Sequence, residues 1–498
     1  MTTEQKGVFR ISVVSSQFRN RWKDEWFSNV RKDIPAGLAV AFALIPEAIA
    51  FSMIAGVNPM IGLYGAFIIS VVVAVFGGRI GMISGATGST ALLMVSLVKG
   101  HGNQYLFATG IVTGVIQLII SRLKLARFIT FVPHGVVTGF VNALAILIFM
   151  AQLPHIEGQG IFPYVIAGIT VVIVFALPYL TKVVPSAIVA IVIMTALSVT
   201  LHWHLQTVGN IGHLQGHLPF FHVPNVPFTL HTLWVVLPYS IPIALVGSLE
   251  TLMTTTVVDD LTNSKSDKNK EIRGQGIANL VTGFFGAMPG CAMIGQTVLN
   301  VEYGGRKRLS TFIAGAFLIF LIVVLRPLVS QIPVAALVGV MFMVSVHTFE
   351  WNSLLKLRRA PISESTVMVL TVVSVVATSD LAVGVFVGVA LSAVFVGWKM
   401  ARIHAVTSVN NEGEKVYVVK GQMFFGTMTH FIDLFDTLND PVAVVIDFSH
   451  THLWDHASVT GIDKVVRKYE QFGKRVRLTG LNEESAELVR RSGYPLIA

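Results

Sequence analysis

The chain has 498 residues, of which 53% are hydrophobic and 13% charged. Soluble domains carry about 25% charged residues, and mean hydropathy here is +0.70. This excludes an ordinary soluble enzyme, and it excludes a disordered chain, which needs low hydrophobicity. A polytopic membrane protein remains.

Charge is unevenly spread. Residues 1–33 carry seven Lys/Arg and four Asp/Glu, residues 34–400 eighteen and eleven, and residues 401–498 eleven and twelve. The chain therefore reads as a short N-terminal segment (1–33), a membrane region (34–400) and a cytoplasmic α/β tail (401–498). The N-terminus lacks the apolar core of a signal peptide. The net charge of +9 is read as cationic loops of a membrane protein, with no nucleic-acid partner.

Fourteen apolar segments are predicted: 35–55, 60–78, 84–98, 104–121, 129–152, 162–181, 184–201, 233–258, 272–288, 293–301, 310–327, 333–348, 363–379 and 381–399. A span needs about 20 apolar residues, and the third and tenth are short. Sixteen Lys/Arg fall on the even-to-odd connections and the last exit, including Lys182 and Arg358; two, Lys99 and Arg326, fall on the other side. By the positive-inside rule both termini are cytoplasmic, and the membrane is the plasma (inner) membrane. The connection 202–232 has no charged residue but six histidines: His202, His204, His213, His217, His222 and His231. Their spacing fits no tight metal motif, so they read as polar loop residues.

Fourteen segments divide into two sevens, which makes the third and tenth equivalent. The third opens with Gly85, Thr87, Gly88, Ser89 and Thr90; the tenth is led in by Gly286, Pro289 and Gly290 and carries Gly295, Gln296 and Thr297. Paired interrupted spans are the sequence mark of an inverted-repeat transporter. Helices that begin inside the membrane leave free N–H groups there, and two facing ends make an anion site. Segments one and eight match too, each with one carboxylate, Glu47 and Glu250. Such acids are costly inside a span and mark ion or proton paths. Phe51 shares a face with Glu47, and Thr254 with Glu250. The expected substrate site is thus Glu47, Phe51, Thr87, Gly88, Ser89, Thr90, Gly295, Gln296 and Thr297. The expected coupling-ion site, for Na⁺ or H⁺, is Glu250, Thr254 and Gly295. Asp259 and Asp260 read as cytoplasmic-end residues. The lone cysteine, Cys291, makes no intramolecular disulfide and reads as packing. No cofactor or metal is expected beyond Na⁺ as coupling ion.

The tail shows strand-like runs `KVYVVKG`, `QMFFG`, `VAVVIDF` and `RVRLTG`, with helical patterns near 428–438, 457–472 and 482–492. Residues Asp447–Asp455 read as a loop after the central strand.

The stretches `DIPAGLAVAFALIPEAIAFSMIAGVNPMIGLYGAF`, `SGATGSTA`, `SLETLMTTTVVDD`, `NKEIRGQGIANLVTGFFGAMPGCAMIGQTVLNV` and `VVIDFSHTHLWD` resemble the SulP (sulfate permease) anion transporters with a C-terminal STAS domain. The resemblance implies an all-α fold of 14 spans in a 7+7 inverted repeat, with core and gate domains and elevator movement. It also implies a homodimer, and substrate held between segments one, three, eight and ten. Three departures stand out: Pro46-Glu47 where the family usually has Pro-Gln, Gln296 where many relatives have Arg, and His456-Ala457 after Asp455 where related antagonists carry a phosphorylatable Ser. The first two make the site more negative. The expectation is a secondary active importer of a small inorganic oxyanion, bicarbonate ahead of sulfate and then dicarboxylates, coupled to Na⁺ or H⁺. The rivals are a uracil/xanthine-type nucleobase permease and an anion channel or membrane sensor; none is an enzyme.

Overall fold

The structure, a computed structural model, describes residues 22–129, 132–181, 185–203, 205–211, 218–357 and 359–492. Residues 1–21 of the expected N-terminal segment, Lys182, Arg358, His204, His213 and His217 lie outside the described residues. Contacts divide the chain into two units, Met1–Val389 and Ala390–Ala498.

The fourteen apolar segments form fourteen helices: α1 Val30–Ala55, α2 Pro59–Phe76, α3 Gly88–His101, α4 Asn103–Arg122, α5 His134–Gln152, α6 Phe162–Leu180, α7 Ser186–Thr200, α8 Leu230–Thr262, α9 Lys268–Phe284, α10 Ile294–Glu302, α11 Arg308–Val324, α12 Val334–Thr348, α13 Ile362–Thr378 and α14 Leu381–Met400. Among the described residues, α1, α2, α4, α5, α6, α8, α12 and α14 supply the eight stretches long and apolar enough to cross a membrane; α7, α11 and α13 are apolar but shorter. The protein is a multi-pass, mostly helical membrane protein.

The predicted segments and the helices differ most at four starts. The fifth helix begins at His134 rather than 129. Residues 84–87 precede the third helix; Ser84 and Gly85 form a strand, β1. The eighth helix starts at Leu230, so His231 is helical rather than in a loop. The ninth starts at Lys268 and opens on charged residues. It is held by close packing against α4: a Cβ on Gly114 would sit 2.6 Å from the Gly276 carbonyl oxygen, the small-residue contact that lets membrane helices approach. His222 is a packing group, its ring 5.6 Å from Phe107 and its backbone N–H donating to Phe284 O at 2.8 Å.

The second unit contains β3 His404–Val409, β4 Lys415–Met423, β5 Ala443–Leu453 and β6 Arg475–Thr479 in that sheet order, with β3/β4 antiparallel and the other pairs parallel. Helices α15 Met428–Asp433, α16 His456–Gln471 and α17 Glu483–Arg491 complete it. The expected runs `KVYVVKG` and `QMFFG` are largely one strand, and β3 was not anticipated. The expected loop Asp447–Asp455 is strand as far as Leu453, because its backbone pairs with Lys420–Met423 of β4. Asp455 caps α16 through Ser458 N at 3.0 Å and also takes the Ser458 hydroxyl at 2.8 Å. That serine is fully buried.

Candidate functional site

The two interrupted spans meet through their extended lead-ins. β1 pairs antiparallel with β2, Cys291–Ala292, in the register Ser84↔Ala292 and Gly85↔Cys291. Only glycine fits the crossing: a side chain at Gly290 would collide with the Gly85 carbonyl. The Gly290 peptide is clamped from α9. Its N–H donates to Asn279 Oδ1 at 2.9 Å, and its carbonyl accepts from Gln275 Nε2 at 2.8 Å and Asn279 Nδ2 at 3.0 Å. Thr297 joins the ends, its hydroxyl taking the Ile83 N–H at 3.0 Å and reaching Ile83 O at 3.2 Å. The ribbon thus fixes where α3 and α10 begin. Neither start has a side-chain cap at its N-cap residue, Thr87 or Met293. Helix geometry leaves the first N–H groups of each without an intrahelical partner.

Each mid-span carboxylate faces the interrupted span of the other repeat. Glu47 accepts a hydrogen bond from Gln296 Nε2 of α10. Glu250 accepts from Ser89 Oγ of α3 at 2.5 Å and from Cys291 Sγ at 3.1 Å. Thr87 Oγ1 lies 3.1 Å from both Ser89 Oγ and Cys291 Sγ. Both acids are nearly buried, with 8% and 9% exposure. Pro46 lacks an N–H to donate back to Phe42, so the helix ladder is interrupted one residue before Glu47.

A cavity of about 420 Å³ opens between these elements. Among the expected site residues, Glu47, Phe51, Thr87, Gly88, Glu250, Gly295 and Gln296 line it. It has room for a small oxyanion with several waters, each taking about 30 Å³. Four expected residues do not line it. Ser89 is one bond away, on Glu250. Thr90 donates to Thr87 O at 3.0 Å and reaches Pro289 O at 3.2 Å. Thr254 donates to the Glu250 carbonyl at 2.8 Å. Thr297 is the tie described above, and its N–H is taken by Met293 O. The two glycines differ: a Cβ at Gly295 would meet open space, whereas one at Gly88 would press on Phe51 and Ile148.

Gln275, Asn279 and His347 are not among the residues expected from the sequence, and Cys291 is expected only as packing. Cys291 is a Glu250 partner as well as a packing group. Gln275 and Asn279 stand four apart on one helix face, a spacing visible in the sequence but lacking its target. His347 lines the cavity from α12. At one end of the unit, Arg79 lies 3.3 Å from Asp259, and Glu271 takes the N–H groups of Gly78 and Arg79 at 2.6 Å each. This agrees with Asp259 as a span-end residue.

The sulfate permease family pattern matches residues 30–162 and 161–371, and the STAS domain pattern residues 405–497. YbaR of Bacillus subtilis, provisionally named a sulfate transporter, is 53% identical over 94% of this chain and 98% of its own. The transmembrane domain of a cyanobacterial bicarbonate transporter, BicA, is 28% identical with a TM-score of 0.64, covering 74% of this chain and 98% of that domain. The murine anion transporter Slc26a9 in its inward-facing state superposes with a TM-score of 0.81 at 17% identity, over 94% of this chain and 88% of its own, a likeness of fold. The interrupted spans, the paired carboxylates and these matches lead to one assignment: the chain belongs to the sulfate permease family of membrane transporters, with a C-terminal STAS domain.

Proposed function

We propose that the protein imports a small inorganic oxyanion, bicarbonate before sulfate, together with Na⁺ or H⁺. The observation that carries this is the composition of the cavity wall: two carboxylates, two uncapped helix starts, and no Lys or Arg among the described lining residues. Without a fixed cation, the anion is held by the N–H groups at Gly88–Thr90 and Ile294–Gln296. That favours a monovalent ion over a dianion. BicA, with which the chain shares 28% identity, supports bicarbonate; YbaR keeps sulfate in view.

Glu250 is the coupling carboxylate. It takes H⁺ directly, or it offers oxygen to Na⁺ with the hydroxyls of Thr87 and Ser89, the hard ligands such a cation needs. Thr254 steadies the helix turn that carries it. Glu47, Gln296 and Phe51 form the substrate wall. The family resemblance adds elevator-type movement, a homodimer and cytoplasmic termini to this reading.

The test is uptake of labelled bicarbonate or sulfate by proteoliposomes, with and without Na⁺ and pH gradients. Uphill accumulation under one gradient is the expected result; no accumulation of either anion under any gradient overturns the reading. Competition by uracil would move it to a nucleobase permease, and flux far above carrier turnover without accumulation to a channel.

A further inference from the structure

The cavity holds three titratable side chains among its lining residues: Glu47 on α1, Glu250 on α8, and His347 on α12. The first two are nearly buried and sit with the interrupted spans. His347 is exposed and lines the same cavity from the last turn of α12, a helix that packs against α1, α5, α6, α7 and the turn Leu153–His155, whose His155 does not line the cavity. Of these, α6 and α7 bring only Val174, Ser186 and Ala187 to the wall, and α5 brings Phe140, Val141, Leu144 and Ile148. Beyond the end of α12 come Glu350 and Lys356, 3.9 Å apart, which line a neighbouring cavity together with His134. Glu47 and Glu250 are therefore the other charged groups that line the cavity with His347.

An anion entering this cavity meets two acids and one side chain able to carry positive charge. We propose that His347 is the anion-binding residue that α12 brings to this cavity, its imidazolium supplying the positive charge that the two interrupted spans lack. Neutral imidazole still donates one hydrogen bond, so deprotonation weakens the contact rather than removing it. Substrate affinity thereby acquires a pH dependence separate from that of Glu47 or Glu250. This inference rests on the oxyanion-carrier reading.

The test measures KM and maximal rate for sulfate uptake in proteoliposomes between about pH 6 and pH 8, where the charge of sulfate is constant. Bicarbonate is assayed alongside, counted as the ion. In the wild type KM rises with pH. In His347→Gln, KM at the acid end is raised about tenfold, the size of one partly solvated charge contact, its pH dependence is flattened, and the maximal rate is kept within about twofold. In His347→Arg KM stays low to the alkaline end. In Glu47→Gln the pH-dependent rise survives, which separates the two groups. A His347→Gln profile matching the wild type overturns the proposal. A second readout does not need transport: sulfate or bicarbonate raises the melting temperature of the purified protein at acid pH, and the rise is lost in His347→Gln. If the wild type accumulates neither anion, the carrier reading falls while this binding readout still decides the role of His347. If it shows no stabilisation either, both fall.

Discussion

The tail and the membrane region each bury carboxylates, but partner them differently. In the tail, Asp440 takes the Lys415 ammonium at 2.5 Å, the Tyr417 hydroxyl at 2.7 Å and the Tyr469 hydroxyl. Burial alone would push its carboxyl up; Lys415 and the two tyrosines outweigh that and hold it below the usual carboxylate range. In the membrane region, Glu47 has one amide, and Glu250 has a hydroxyl and a thiol. All three donors are neutral. A buried acid with a resident cation is complete and serves the fold. A buried acid with neutral donors leaves a charge unmatched, which burial makes costly. A cation that comes and goes can meet that need. The contrast sets Asp440 apart from the two acids that the proposed function assigns to transport.

The strongest test of the contrast is Glu250→Ala. Gradient-driven accumulation should fall by at least about 100-fold, as expected when a buried charge partner is lost, while the protein still purifies as a folded species. Normal accumulation would place coupling elsewhere. Next come the glycines. Gly295→Val projects into open cavity and should abolish anion uptake with little loss of stability. Gly88→Val must displace Phe51 and Ile148 and should cost about 1–3 kcal/mol through overpacking, read as a lower melting temperature. Equal stability losses in the two would refute the difference in their surroundings. Smaller again is Asp440→Asn, expected to cost the tail about 2 kcal/mol. Because the folded carboxyl is held low, its stabilisation is complete above the unfolded value of about 4 and disappears as pH falls through the folded one. Hydrogen-exchange protection factors across β4 and β5 in the full chain should fall in acid for the wild type, and be low and less pH-sensitive in the variant. The smallest effect is Cys291→Ser, which keeps a donor to Glu250 and should change uptake less than about threefold; Cys291→Ala, leaving one donor fewer, should cost more.

Much of the site was legible because charge is so scarce between residues 34 and 400. Glu47 and Glu250 stand out in apolar runs, and Gly88 and Gly295 mark short spans in matching positions. Their partners were not legible. Nothing local says that Gln296 answers Glu47 across 249 residues, or that Asn279 folds back onto Gly290. Positions 47 and 296, the two that the resemblance marks as unusual, are a contacting pair, which only the fold reveals. Thr90, Thr254 and Thr297 carry the right chemistry for a site, yet their hydroxyls are spent on backbone carbonyls inside the membrane. In the tail, the `HTHL` stretch looks like a polar loop, and its pairing with β4 depends on a neighbour 30 residues away. β3 was missed because its side chains are mostly exposed, so it lacks the alternation that announces a half-buried strand.

The ribbon that joins Ser84 to Ala292 also dictates an order of events in biogenesis. Its two strands are about 200 residues apart, so the first repeat enters the bilayer with Ser89 and Gly85 lacking their partners. Such long-range pairing forms late because the intervening chain must be closed first. The first repeat alone therefore lacks the partners that complete the proposed site. On the proposed function, the cation ligands Thr87, Ser89 and Glu250 can meet once the eighth helix is in place, whereas the anion site is complete only when the tenth arrives.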